Sequence, residues 1–224
     1  ACGWPMESLF FCEDLFKAET SYALLEKAES AGLEVIRLST EAFAKAAFRQ
    51  GPDGILATGI QRQRSLQELP LSGRPLFVIL ESIEKPGNIG AVFRTAGAAG
   101  ADALVITNPV TDPYNPNAIR ASQGTFFEIP FCCTGNEDLI LFLEARQITP
   151  ILTSPDGEQN LWEADLRGPV AILLGSEDTG LSRDWLDAFP AWKLPMKGCT
   201  DSLNVASTAA IALFETVRQR ACRD

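Results

Sequence analysis

Residues 76–107 read LFVILESIEKPGNIGAVFRTAGAAGADALVIT, placing an apolar run, a proline- and glycine-rich turn, a helical repeat and a second apolar run in succession. Unbroken apolar runs of this length suit strands buried on both faces, whereas half-exposed strands alternate apolar and polar residues. LFVIL and ALVIT are therefore the strands, Pro86 and Gly87 turn the chain, and the spacing predicts a helix from Asn88 onward. A strand, a crossover helix and a second strand imply parallel pairing. The alternation continues through FEIPFC (127–132), TPILT (149–153) and VAILLG (170–175), with the helical patterns NEDLILFLEAR (136–146) and SRDWLDAF (182–189) between and after them. The expectation for residues 73–224 is an α/β domain whose parallel sheet is covered on both faces. Its ligand site is expected beyond the C-terminal ends of the strands.

Residues 1–72 follow a shorter version of the same rhythm. SLFFC (8–12), LEVIRL (33–38) and DGILATG (53–59) read as strands, SYALLEKAESAG (21–32) as a helix closed by Gly32, and TEAFAKAAF (40–48) as a helix opened by Thr40. This is a small α/β layer domain, joined to the larger one through the polar, proline-punctuated stretch QRQRSLQELPLSGRP (61–75). The chain begins at Ala1 rather than Met, so the small domain is expected to lack its start.

Composition removes several kinds of chemistry. The 224 residues include no histidine, which excludes Ser-His and Cys-His nucleophilic arrangements and the commonest general base. Cysteines at 2, 12, 132, 133, 199 and 222 form no C-x-x-C pair, so reduced thiols and no metal are expected. No apolar run is long enough for a membrane span and the first residues lack the features of a secretory signal, so a cytoplasmic protein is expected. The formal charge of −10 argues against holding nucleic acid by bulk electrostatics. Residues 1–75 hold 8 of the 19 basic and 10 of the 29 acidic residues, so only −2 of that charge falls on them. Arg37, Lys45, Arg49, Arg62, Arg64 and Arg74 are there either as phosphate contacts or as ordinary scattered surface charge.

Three loops carry residues that packing does not demand. In the first, Gly90 permits close approach of a backbone or a ligand, and Asn88 and Arg94 stand six residues apart at the edge of a cleft. In the second, VAILLGSEDTGLS (170–182), Glu177 precedes the next helix by several residues, so a ligand or an arginine explains it better than capping does. In the third, LPMKGCTDSLNVASTAAIALFETVRQR (194–220), Leu194, Pro195 and Met196 end a strand and Ser202 caps a helix whose small residues suit close packing.

Together these loops resemble the three motifs of the SpoU-type RNA 2′-O-ribose methyltransferases of the SPOUT superfamily: P-G-N-x-G-x-x-x-R-T-A, L-G-x-E-x-x-G-L-S and P-M-x-G-…-S-L-N-V-A. YNPNAIRASQGTFFEIPF (114–131) is similar to the family's N-P-…-R-A-S-x-G-…-P segment, and the likeness runs in order over residues 76–220. Residues 9–70 resemble the ribosomal-protein-like RNA-binding domain that often precedes this catalytic domain. One departure is Glu81, where many relatives have Asp. The resemblance implies a C-terminal trefoil knot, S-adenosylmethionine as cofactor, and a homodimer with each site completed across the subunit interface. It implies Asn88, Arg94, Glu177, Ser202 and Asn204 as catalytic residues, with Asn88 and Glu177 fixing the Arg94 guanidinium. It also implies Thr153, Gly175, Leu194, Met196 and Leu203 around the cofactor, and Arg120 and Ser122 as RNA contacts. Ribosomal RNA is expected as substrate ahead of tRNA. The alternatives are a non-catalytic RNA-binding factor of the same fold and a nicotinamide-dependent oxidoreductase, which would lack its G-x-G-x-x-G turn.

Overall fold

A computed structural model describes residues 3–48 and 50–221, and divides them into two compact units, 1–62 and 63–224. Arg49, Cys2 and Cys222 lie outside the described residues. The first unit runs β1 (Met6–Phe11), α1 (Thr20–Ser30), β2 (Glu34–Arg37), α2 (Thr40–Ala46) and β3 (Ile55–Gly59). Its sheet has the order β2-β1-β3, with β1 parallel to β2 and antiparallel to β3. Ser39, rather than Thr40, caps α2 by accepting the Ala42 amide at 3.2 Å.

The second unit runs β4 (Leu76–Glu81), α3 (Pro86–Ala99), β5 (Ala103–Thr107), α4 (Pro116–Ala121), β6 (Phe131–Thr134), α5 (Asn136–Ala145), β7 (Thr149–Thr153), β8 (Gln159–Asn160), β9 (Val170–Leu174), α6 (Arg183–Leu186), β10 (Ala191–Lys193) and α7 (Val205–Ala221). Seven strands form one sheet in the order β6-β5-β4-β9-β7-β10-β8, and every pairing is parallel. The apolar runs that predicted this are buried throughout in β4, β5 and β9. Phe77 and Ile79 of β4 join a core cluster with Leu139 and Leu143 of α5 and Trp185 of α6. Successive strand side chains point to opposite faces, so Val78 and Leu80 face the other way, the side on which α7 lies against β9 and α3 against α7.

Three expectations shift. The unit boundary lies at 62/63 rather than 72/73, because Leu66 and Leu69 are buried in the core cluster of the second unit. The strand expected at 127–132 is displaced to 131–134, because Thr125–Phe127 forms a 3-10 turn that buries Phe126 with its ring 5.0 Å from both Phe93 and Phe131. Leu194, Pro195 and Met196 follow β10 rather than end it.

Strand order places α3 and β5 to one side of β4 and β9 to the other. In an open parallel sheet, the crevice beyond the strand ends at such a reversal is the standard ligand position.

Candidate active site

The loop that leaves β4 and the loop that leaves β9 are tied together side chain by side chain. Glu81, 2% exposed, accepts the Ser182 amide at 2.8 Å and the Asn136 amide nitrogen at 2.6 Å. The Ser176 hydroxyl donates to Glu84 Oε1 at 2.5 Å and itself accepts the amides of Asp178 and Thr179, each at 3.2 Å. Lys85 Nζ pairs with Glu177 Oε2, and Asn88 Nδ2 donates to Glu177 Oε1. Four side chains over eight residues of the first loop therefore hold both ends and the middle of the second.

Gly175 begins that second loop, and its missing side chain has a steric reason. A Cβ there would stand 2.5 Å from the carbonyl carbon of Gly180 and 2.7 Å from the Leu181 amide nitrogen. The glycine admits the loop's own backbone. Gly90 likewise admits a backbone, that of α4, since a Cβ would lie 2.1 Å from the Ala118 carbonyl oxygen.

The third loop closes the arrangement. Asn204 Nδ2 donates to Asn88 Oδ1 and to Glu177 Oε1, both at 3.2 Å. Its Oδ1 accepts the Ala206 amide at 2.8 Å, which makes Asn204 the cap of α7 in place of the expected Ser202. Ser202 is exposed, three residues ahead of Val205, the first residue of α7.

A cavity of about 570 Å³ opens among these loops. Thr153, Gly175, Leu194, Met196 and Leu203, all expected around a cofactor, line it, as do Glu177, Ser202 and Asn204. Met196 and Leu203 each remain 38% exposed, an apolar surface left uncovered inside a polar frame. Thr153 is oriented by donating to the Leu173 carbonyl at 2.9 Å. Volume and lining suit a cofactor-sized ligand with one apolar part.

Two groups are placed differently from expectation. Arg94 is exposed, does not line the cavity, and its guanidinium makes no hydrogen bond or ion pair among the described residues. Six residues along a helix turn the side chain through about 240°, so Arg94 and Asn88 leave α3 from different faces. Glu177 and Asn88, expected to fix the guanidinium, instead engage Lys85, Asn204 and each other. Ser122 is 0% exposed, donating to the Ile119 carbonyl at 2.6 Å and accepting the Phe126 amide, so it shapes a turn rather than meeting RNA. Arg120 is exposed.

Lys85 and Glu84 escaped the sequence reading. Their charges flank the Pro86 turn at the end of a buried strand, and that position was the signal. The hydrogen bond to Glu177, and then its charge, raise the Lys85 pKa above the ordinary lysine value. The Ser176 hydroxyl holds Glu84 below the usual carboxylate range. Burial pushes the Cys132 thiol up to about 12, which leaves it unreactive. Among the described residues no cluster of metal ligands occurs, and no helix is long and apolar enough to cross a membrane.

Of the basic residues in the first unit, Arg37 pairs with Glu13 at 3.1 Å, Lys45 with Glu41 at 3.0 Å, and Arg62 lies 4.7 Å from the Trp4 ring centre.

A family model described as the SpoU rRNA Methylase family matches residues 75–214. The 23S rRNA (guanosine-2'-O-)-methyltransferase RlmB of Ralstonia nicotianae is 32% identical over 204 residues, 88% of this chain and 81% of its own. The 23S rRNA (uridine(2479)-2'-O)-methyltransferase of Streptomyces viridochromogenes is 29% identical over 226 residues, 97% of this chain and 78% of its own. The crystal structure of the SpoU methyltransferase AviRb from Streptomyces viridochromogenes, in complex with the cofactor AdoMet, is similar with a TM-score of 0.87 and 27% identity, covering 98% of this chain and 85% of that one.

Proposed function

Since this chain belongs to the SpoU rRNA methylase family, we propose that the loops around its cavity hold S-adenosylmethionine while a ribose 2′-hydroxyl of ribosomal RNA is brought to it for methylation. The enzyme is an S-adenosylmethionine-dependent RNA 2′-O-ribose methyltransferase. The observation that carries the site assignment is the junction of Glu177 with Lys85, Asn88 and Asn204, which joins all three loops at the rim of the cavity. Ribosomal RNA is preferred because both curated relatives described above are named for 23S rRNA.

The donor supplies a methyl group made electrophilic by its sulfonium. Leu194, Met196 and Leu203 offer the apolar wall for its base, and the backbone of the 175–181 loop offers the polar one. In-line transfer loses rate steeply when the reacting atoms are displaced, so the side-chain ties between the first two loops serve orientation. Asn88 and Asn204 hold the Glu177 carboxylate, and the exposed Ser202 hydroxyl is free to meet the ribose. With no histidine in the chain, no imidazole takes the hydroxyl proton. Arginine stays protonated at neutral pH, so Arg94 acts as a charge, steering RNA phosphate and the developing alkoxide while water or a phosphate oxygen takes the proton. Its exposure and its lack of a partner among the described residues suit that role, and they suit a homodimer in which one protomer completes its partner's site. Arg120 is a further phosphate contact, and the first unit is the RNA-binding domain.

The expected trefoil knot belongs to the same reading. The sheet places β10 between β7 and β8, yet α7, which follows it, returns to lie against β9 and α3. Its far end is held by Arg220, which donates to the carbonyls of Arg74, Leu166 and Gly168 at 2.9, 3.2 and 2.6 Å. A chain passing between the second loop and the segment after β7 accounts for that return. An enzyme acting on ribosomal RNA works where ribosomes are, in the cytoplasm.

Mapping ribose methylation across total RNA in cells with and without the gene tests the proposal. Loss of one or a few methylated riboses in ribosomal RNA is expected. An unchanged rRNA map with a site lost from tRNA would overturn the substrate.

A further inference from the structure

The cavity is acidic, which is unexpected beside a polyanionic substrate. Among the described residues that line it, the carboxylates are Asp156, Glu177, Asp178 and Asp201, and the cationic side chain is Lys85. Lys85 and Glu177 pair with each other and largely cancel. Asp156, Asp178 and Asp201 are exposed, and their carboxylates have no ion-pair partner among the described residues. These three come from three different loops, after β7, after β9 and after β10, so the acidic character belongs to the cavity as a whole rather than to one loop.

A rim of this sign repels RNA phosphate, so its benefit must lie with another ligand. The cavity itself makes the site, and the carboxylates act on the charge of whatever enters. In the reaction proposed above, the bond between sulfur and the methyl carbon breaks, a bond from that carbon to the ribose oxygen forms, and the hydroxyl proton passes to solvent or phosphate. The electron pair of the broken bond stays on sulfur. The ligand therefore enters with one net positive charge and leaves as a thioether with no net charge and one methyl group fewer. A pocket senses the missing methyl only where it touches it, whereas a field from the rim acts on the lost charge at a distance.

We propose that Asp156, Asp178 and Asp201 select for the charged donor, S-adenosylmethionine, over its neutral product, S-adenosylhomocysteine, so that transfer itself weakens the enzyme's hold on what remains. The inference rests on the methyltransferase reading. Coulomb attraction across several ångströms of partly solvated cleft gives about a two- to threefold preference per carboxylate, and about tenfold for the three at low salt. Screening near physiological ionic strength reduces the combined effect to about threefold.

Isothermal titration calorimetry of the whole protein with each of the two ligands tests this. The quantity to follow is the ratio of the two dissociation constants, in wild type and in a variant carrying Asp156→Asn, Asp178→Asn and Asp201→Asn. The expected result is a shift of about tenfold against the charged donor in the triple variant at low salt, with each single substitution giving a part of it. Wild type alone provides the second arm, because raising the salt should move its ratio in the same direction without any mutation. A ratio that changes less than about twofold with substitution and with salt would overturn the proposal. Binding of neither ligand by wild type would instead overturn the methyltransferase reading on which it rests.

Discussion

Replacing Gly90 with alanine should destabilise the protein, although the same change in an open helix stabilises it. Gly90 lies in the second turn of α3, buried against α4. The added methyl would stand 2.1 Å from the Ala118 carbonyl oxygen, 2.7 Å from the Ala121 Cβ and 3.0 Å from the Ala118 carbonyl carbon. Two of these atoms are backbone, so relief requires α4 to move by more than an ångström rather than one side chain to turn. Because the clash is with backbone, the upper part of the overpacking range applies, ~2–3 kcal/mol, and the helical preference for alanine returns ~1 kcal/mol of it. A net loss of ~1–2 kcal/mol corresponds to a fall in Tm of about 2–8 °C for a unit of this size. Gly87, one turn earlier in the same helix, has nothing within 4 Å of its virtual Cβ. Gly87→Ala should therefore raise stability, by ~0.4–1 kcal/mol, through the unfolded chain. Thermal unfolding followed by circular dichroism on both variants and wild type decides the matter. If Gly90→Ala melts at or above wild type, the α3–α4 contact does not have the geometry described.

Asn204→Ala should cost ~1 kcal/mol of stability as a lost helix cap, whereas Ser202→Ala should leave Tm unchanged, measured by the same unfolding experiment. The lowered pKa of Glu84 means that its bond to Ser176 is fully present above its unfolded-state value, near 4.5, and is lost as the pH falls through its lower folded-state value. Glu84→Gln removes the titration but keeps an acceptor oxygen, so the difference in Tm between it and wild type should narrow as the pH drops from about 6 to about 4. In methyl-transfer assays Arg94→Lys should retain a little activity and Arg94→Ala almost none, and near-wild-type turnover in both would remove Arg94 from the reaction.

The sheet was legible because its strands are buried on both faces: LFVIL, ALVIT and VAILL each sit where their unbroken apolar runs predicted. Strand order was less so, since β8 and β10 are two and three residues long and carry too little pattern to be seen. The stretch at 61–75 reads as a linker because it is polar on average, yet Leu66 and Leu69 anchor it in the core. Around the cavity, the motif residues Asn88, Glu177 and Asn204 were found together, but their partners were misjudged. Spacing along α3 suggested an arginine on the cleft. Helix geometry turns Arg94 away and brings Lys85, a loop residue with no periodicity to reveal it, to the carboxylate instead. Gly175 and Ser122 teach a related lesson, because a small motif residue expected at a ligand can also serve the chain's own backbone, Gly175 by close approach to Gly180 and Ser122 by its bond to the Ile119 carbonyl.

The central claim is methylation at a ribose oxygen of ribosomal RNA, and the chemistry of alkaline cleavage tests it directly. Purified protein is incubated with unmethylated ribosomal RNA and methyl-labelled S-adenosylmethionine, and the RNA is then hydrolysed in alkali. A 2′-O-methyl group blocks the hydroxyl that cleaves the neighbouring phosphodiester, so the label should emerge in alkali-resistant dinucleotides. Label released in mononucleotides, as from a methylated base, or no label at all, would contradict the account.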